Sequence, residues 1–350
     1  MTMKVTIRDI AKECGVSVST VSMALSSKPS RVAESTRKRI RQKAEELHYQ
    51  PNLSAVSLVS RHSNCIGIVI NDLHNTHISS LYMAIDEEIE RQGFTPICHI
   101  FRDTGLSAGV PACMEEKLLN QLESENVAAI IWGKSLNVLQ ADENKRLEKQ
   151  LNRWGIPVIT MDPYKLSCPG VNVLFDYREG ARIAVRNLIA NQHRRIGCLA
   201  GERGYAVTID RIRGYRDALE EAGIPYDDSL IYYGDYSLES GYQAFSYLLG
   251  MNVTAIFSQN DEMAFGLYRA ARNYHIQIPD EISIIGFDDV PFADVMEVPL
   301  TTIHIPVQEM GQYIGGEVCR LIMQKDPDYT RKVKIYHPSL RIRRSVKKHT

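Results

Sequence analysis

A chain of 350 residues, 44% hydrophobic and 24% charged, is long enough for more than one core, and its formal net charge of -1 excludes a uniformly basic or acidic protein. The charge is uneven: residues 1–61 hold eleven Lys/Arg against five Asp/Glu, which leaves the remainder at minus seven and points only the N-terminal part at phosphate. Seven scattered cysteines (Cys14, Cys65, Cys98, Cys113, Cys168, Cys198 and Cys319) contain no CxxC pair, which excludes a disulfide framework or zinc site of the usual spacing.

Chain order begins with a compact helix-turn-helix. Ile7, Ile10, Ala11 and Cys14 recur at i, i+3, i+4 and i+7, one apolar stripe on a short helix, with Thr6 and Asp9 as a capping-box-like start. Gly15 ends that helix, and Ser17 is placed to cap a second whose Val18, Val21 and Leu25 are spaced for a partly buried face. A third helix is predicted over roughly Glu34 to Leu47, where Ile40, Ala44 and Leu47 make a seam beside Arg37, Lys38, Arg39, Arg41 and Lys43. Three such helices can share one small core and present the exposed side of the second, with Ser19, Ser22 and Met23, to a major groove.

Tyr49-Gln50-Pro51-Asn52 then breaks the pattern, and Leu53 to Ser60 reads as a linker with latent helicity, too short for a stable isolated helix. From Cys65 onward short apolar strands alternate with amphipathic helices in two series. The first contains Ile66–Ile70, Thr95–Ile100, Val127–Trp132 and Pro157–Met161, and the second Ile196–Leu199, Ala255–Phe257 and Ile282–Phe287. Buried runs separated by helices predict parallel sheets covered on both faces, in two doubly wound lobes. Ligands of such sheets sit beyond the carboxyl ends of the strands. Those ends carry Asp72, Asp162, Asn260, Asp261, Asp288 and Asp289, with Arg211 near a helix start, a set suited to a small polyhydroxyl ligand.

No P-loop, GxGxxG after a strand, GxSxG or HExxH occurs, so no catalytic residue and no cofactor is expected. His74 and His77 lack a third ligand; they are read as polar residues at the cleft edge, and no metal site is expected. No apolar run approaches membrane length and no signal peptide precedes the first motif, which makes the expected location cytoplasmic, without membrane contact.

Val5 to Ala11 with Gly15-Val16-Ser17 and Thr20-Val21-Ser22 resembles the lactose-repressor/galactose-repressor (LacI/GalR) family of bacterial transcription regulators. Tyr49 to Asn52 with Leu58 resembles its hinge, Asn260 to Ala264 its second-lobe signature, and Ile284 to Asp289 with Pro299 to Ile303 its return crossover. The resemblance implies a homodimeric repressor on a pseudopalindromic double-stranded operator, with a hinge helix whose Leu58 wedges the minor groove and a small-molecule effector, a sugar, between the lobes. It implies DNA contacts from Thr6, Ser17, Val18, Ser19, Thr20, Ser22, Met23, Asn52, Ala55 and Leu58, and effector contacts from Asp72, Asp162, Arg211, Tyr236, Asn260 and Asp288.

The expected fold is thus a three-helix head (1–50), a hinge helix (51–61) and a two-lobed α/β core with parallel sheets, like periplasmic binding proteins. Its first lobe takes 62–174 plus 303–332 and its second 175–302 plus 333–345. Met23 stands where many relatives carry arginine, and Ser57 where a basic residue is common, so an unusual operator is expected. A regulator answering to a purine or a phosphorylated protein corepressor is the alternative within the class. A sugar receptor is the rival outside it.

Overall fold

A computed structural model describes residues 5–25, 32–47, 49, 63–101, 112–134, 137–139, 141–161, 170–324 and 332–349. The chain divides into two compact units, Met1–Asn64 and Cys65–Thr350.

The first unit holds α1 (Ile7–Cys14), α2 (Val18–Leu25) and α3 (Glu34–Glu46). Thr6 starts α1 as its spacing predicts: its backbone N–H and hydroxyl both donate to Asp9 Oδ2, at 2.8 and 2.7 Å. Gly15 ends the helix at φ 60, a left-handed position that suits glycine. Ile10, Ala11, Cys14, Val21, Ala24, Ile40 and Ala44 form the shared core, and Arg39 Nη2 donates to the Cys14 carbonyl at 3.2 Å, tying α3 to the end of α1. The core face of α2 is Val21 and Ala24; Val18, expected beside them, is 42% exposed because it lies in the helix's first turn, beyond the reach of that core.

The second unit is two six-stranded sheets with helices on their faces. The first sheet has order β11-β5-β4-β3-β1-β2, built from β1 (Cys65–Ile70), β2 (Thr95–Ile100), β3 (Ala129–Trp132), β4 (Val158–Thr160), β5 (Gly170–Phe175) and β11 (Lys332–Tyr336). The second has order β12-β10-β9-β8-β6-β7, from β6 (Ile196–Ala200), β7 (Ile231–Tyr233), β8 (Ala255–Ser258), β9 (Ser283–Asp288), β10 (Thr301–His304) and β12 (Ser339–Arg341). All pairings are parallel except β10 with β12. Parallel strands need crossovers, and α4 (Thr76–Arg91), α5 (Ala112–Ser124), α6 (Ala141–Trp154), α7 (Tyr177–Ala190), α8 (Ala206–Glu221), α9 (Leu238–Gly250), α10 (Asp261–Asn273) and α12 (Val307–Gln324) cover the sheets, with the short α11 (Phe292–Val295) on the second. Side-chain caps start four of them: Asn75, Asp176, Ser237 and Asn260 each accept from a backbone N–H of the first turn.

The chain passes between sheets three times, at Asp176, at 305–306 and at 337–338. Two of these crossings fall later than expected: Thr301–His304 belongs to the second sheet and Lys332–Tyr336 to the first. Short polar-apolar runs such as Lys-Val-Lys-Ile-Tyr specify a strand but not the sheet it joins. The tail also continues past 345 on the second lobe, where Lys347 N donates to Ser283 Oγ at 3.2 Å and His349 N to the Asn191 carbonyl at 2.8 Å.

Candidate functional site

On the head, α2 turns Val18, Ser19, Ser22 and Met23 outward, with Ser17 before it and Thr20 half-buried. Met23 is 43% exposed. The two hydroxyls at helix starts are already engaged: Ser17 Oγ accepts from Thr20 N at 3.1 Å, while Thr6 is bonded to Asp9 and holds that carboxylate below its usual range. The outward face therefore mixes small hydroxyls with two apolar side chains, able to meet base edges and thymine methyls. Asn52, Ala55 and Leu58, with the whole 51–61 segment, lie outside the described residues.

In the second unit a cavity of about 660 Å³ opens between the lobes, lined by Asp72, Arg211, Tyr236, Asn260 and Asp288 among others. Asp162, the remaining expected effector residue, lies outside the described residues. Arg211 projects from α8 and is buried, its guanidinium 4.7 Å from the Tyr177 ring and 4.3 Å from the Phe287 ring. That aromatic sandwich supports a cation taken out of water. Asp288 ends β9 at φ 120, a strained conformation for a residue with a side chain, and is buried as well. Its Oδ1 lies 3.5 Å from Arg211 Nη2.

The pair is incomplete. Arg211 Nε and Asp288 Oδ1 are buried without a hydrogen-bond partner. Burial pushes the Asp288 carboxyl well up, and the Arg211 charge opposes that shift. Two unfilled groups, one donor and one acceptor, face a cavity large enough for a sugar; leaving either unpaired costs about 1–3 kcal/mol.

Tyr236 and Asn260 complete this wall. The Tyr236 hydroxyl pairs with Thr208 Oγ1 at 2.7 Å and its backbone is left-handed at φ 68. Its ring lies so close to Gly201 that a Cβ there would meet Tyr236 Cζ at 1.9 Å, so only glycine leaves room for it. Asn260 caps α10 through Met263 N at 3.0 Å and donates Nδ2 to the Tyr236 carbonyl at 2.9 Å. One amide thus serves as helix cap and as brace for the aromatic wall.

The neighbouring acids do other work. Asp261 accepts from Thr302 Oγ1 at 2.6 Å and from Val290 N at 3.0 Å, and burial raises it to about 7. Asp289 is held by His304 and Arg343, at 2.8 and 2.7 Å. Both fix the corner after β9 rather than line the cavity.

From the first lobe come Asp72, whose Oδ1 accepts from His74 N at 2.9 Å, and His77, whose Nδ1 is buried and unpartnered. Two contacts tie the lobes across the cleft: Thr76 Oγ1 donates to Glu262 Oε1 at 2.8 Å, and Val138 N to the Gly204 carbonyl at 2.8 Å. Tyr177 and Glu202, two residues past β5 and β6, and Glu262, in the first turn of α10, are lining residues that the sequence reading does not name as effector contacts.

Two family models match: "Bacterial regulatory proteins, lacI family" over residues 6–52, and "Periplasmic binding protein-like domain" over 185–346. The HTH-type transcriptional regulator DegA of Bacillus subtilis (strain 168) is 33% identical over 311 residues, 88% of this chain and 89% of DegA. The chain belongs to the LacI family of bacterial regulatory proteins. The same fold is seen in the lac repressor dimer bound to operator and the anti-inducer ONPF, with TM-score 0.85 at 24% identity over 98% of this chain and 99% of that one. A LacI-family transcriptional regulator from Enterococcus faecium, solved with bound ribose, gives TM-score 0.70 at 27% identity over 82% and 100%. As a LacI-family member this chain is a DNA-binding, effector-responsive transcription regulator. No described helix is long and apolar enough to cross a membrane.

Proposed function

We propose that the protein is a repressor that binds a pseudopalindromic operator as a homodimer, and that a sugar bound between the lobes sets its affinity for DNA. The observation that carries the ligand class is the half-satisfied Arg211–Asp288 pair, since neighbouring hydroxyls can accept from Arg211 Nε and donate to Asp288 Oδ1 at once. Asp72, Tyr236 and Asn260 line the same cavity with further polar groups, and ribose in the Enterococcus faecium relative supports the reading. Dimerisation is supported by α11 and its surroundings, where Phe292 and Val295 are 61% and 73% exposed. The outward Ser19, Ser22 and Met23 supply base contacts, with Thr6 and Ser17 at helix starts where phosphate is favoured. In a cytoplasmic regulator of this kind no enzymatic step is required of the cleft.

The test is a thermal-shift screen against sugars and purines, followed by operator binding with and without each hit. A ligand at a hundred times its Kd should stabilise by about 2.7 kcal/mol, and a sugar hit should change operator affinity. Stabilisation by a purine alone, or a sugar hit that leaves DNA binding unchanged, contradicts the proposal. Sedimentation on operator DNA should show a dimer; a monomer binding a single half-site as tightly contradicts that part.

A further inference from the structure

We propose that the effector carries no anionic group: the cleft accepts a neutral polyhydroxyl ligand and rejects the phosphate esters and uronic acids of the same sugars. This rests on the sugar reading above and adds a rule of charge.

Five carboxyl groups line the cavity, Asp72 from the first lobe and Glu202, Asp235, Glu262 and Asp288 from the second, while the guanidinium of Arg211 is the one Lys or Arg charge among its described lining residues. Arg211 cannot be reached without Asp288, 3.5 Å away. A hydroxyl pair fills Arg211 Nε as acceptor and Asp288 Oδ1 as donor. A phosphate dianion has acceptors only, so Asp288 could meet it at Oδ1 only by taking up a proton, whereas a hydroxyl satisfies Oδ1 in either state.

Three of the other carboxylates, Glu262, Asp72 and Asp235, are fixed in place. Glu262 is anchored across the cleft by Thr76. Burial works to raise Asp72 and Asp235, but hydrogen bonds from His74 and Ser237 outweigh it and hold both below the usual range, so both remain ionised. His77 supplies no compensating cation, because burial, reinforced by Arg211, lowers its ring to about 3.

Helix N-termini, the other places where an anion could bind, are mostly taken. Asn75 accepts from the N–H groups of His77 and Ile78 on α4, Ser237 from Ser240 on α9, and Asn260 from Met263 on α10, whose first turn carries Asp261 and Glu262 as well. Only α8 starts without a side-chain cap among the helices at this cleft, and Glu202, three residues before its Tyr205 cap position, lines the same cavity.

The experiment is calorimetry on the full-length protein with matched sets: glucose, glucose 6-phosphate and glucuronate; galactose, galactose 6-phosphate and galacturonate; ribose and ribose 5-phosphate. At least one neutral sugar should bind, and its phosphate or acid should bind on the order of 100-fold more weakly or more, as juxtaposed like charges require. Glu262→Gln, which retains an acceptor for Thr76, should narrow that gap severalfold without abolishing neutral-sugar binding. A phosphate or uronate binding as tightly as its neutral partner overturns the charge rule but leaves the sugar reading standing. A gap unchanged in both Glu262→Gln and Glu202→Gln overturns its electrostatic cause. Binding by no member of any set overturns the sugar reading itself, and the charge rule with it.

Discussion

The proposed DNA-reading face of the head and the proposed effector wall of the core are built in opposite ways. On α2, Val18, Ser19, Ser22 and Met23 stand exposed, and the helix is held by a separate core of Val21 and Ala24 against α1 and α3. In the cleft, Arg211, Asn260 and Asp288 are themselves buried, wedged among Tyr177, Phe287 and Tyr236. Reading and folding are separable on the head, because an exposed side chain can change without disturbing packing. In the cleft they are the same residues. Under the proposed function, operator preference can therefore vary at little cost in stability, whereas a change of effector chemistry passes through the buried Arg211–Asp288 pair.

The largest expected effect is on that pair. Arg211→Ala leaves Asp288 buried without its cation and should lower the stability of the α/β unit by about 3–5 kcal/mol. Urea unfolding checks it, with the Arg211→Ala/Asp288→Ala double variant expected to be less destabilised than the single. A double-variant cost equal to the sum of the separate Arg211→Ala and Asp288→Ala costs would mean that the two side chains do not interact, and would break the comparison at its stronger end.

A smaller effect is expected from His77, whose buried ring has a folded pKa of about 3 against an ordinary 6.5. An unfolded chain takes up that proton first as pH falls, so the contribution of neutral His77 is complete above about 6.5 and is lost as pH drops through 6.5 towards 3. Ring proton shifts of His77 followed by NMR should stay constant from pH 8 to pH 5, conditions chosen around that window. A midpoint near 6.5 would show the first-lobe wall to be open to water.

Least in stability, though not in specificity, is Met23→Arg. Unfolding free energy should move by less than about 0.5 kcal/mol, while the base pair facing this position shifts towards guanine by about 1–3 kcal/mol. Selection from a randomised operator library measures the second quantity. Identical preferences in both proteins would mean that position 23 does not read bases.

The head was legible in the sequence because its determinants are local: the Thr6–Asp9 start, Gly15, Ser17 and the apolar stripe on α1 all act within a turn or two. The strand-end rule located Asp72, Asn260 and Asp288, since parallel strands place their carboxyl ends along one edge, while Arg211 was read near a helix start. It could not separate Asp261 and Asp289, which turn into the structure, from Asn260 and Asp288, which line the cavity; that depends on a side-chain direction set by Thr302 and Arg343. Tyr177 over Arg211, Gly201 beneath Tyr236 and Thr76 opposite Glu262 are long-range contacts with no periodicity to announce them. The spacing of Val18 with Val21 and Leu25 suggests a shared buried face, but Val18 stands exposed, as its place among the implied DNA contacts requires.

The most direct test is a crystal structure of the protein with the first sugar shown to bind. Sugar hydroxyls should lie within hydrogen-bond distance, about 2.7–3.2 Å, of Arg211 Nε and Asp288 Oδ1. A sugar seated elsewhere, or held in the cleft while both atoms stay unpaired, would contradict that expectation.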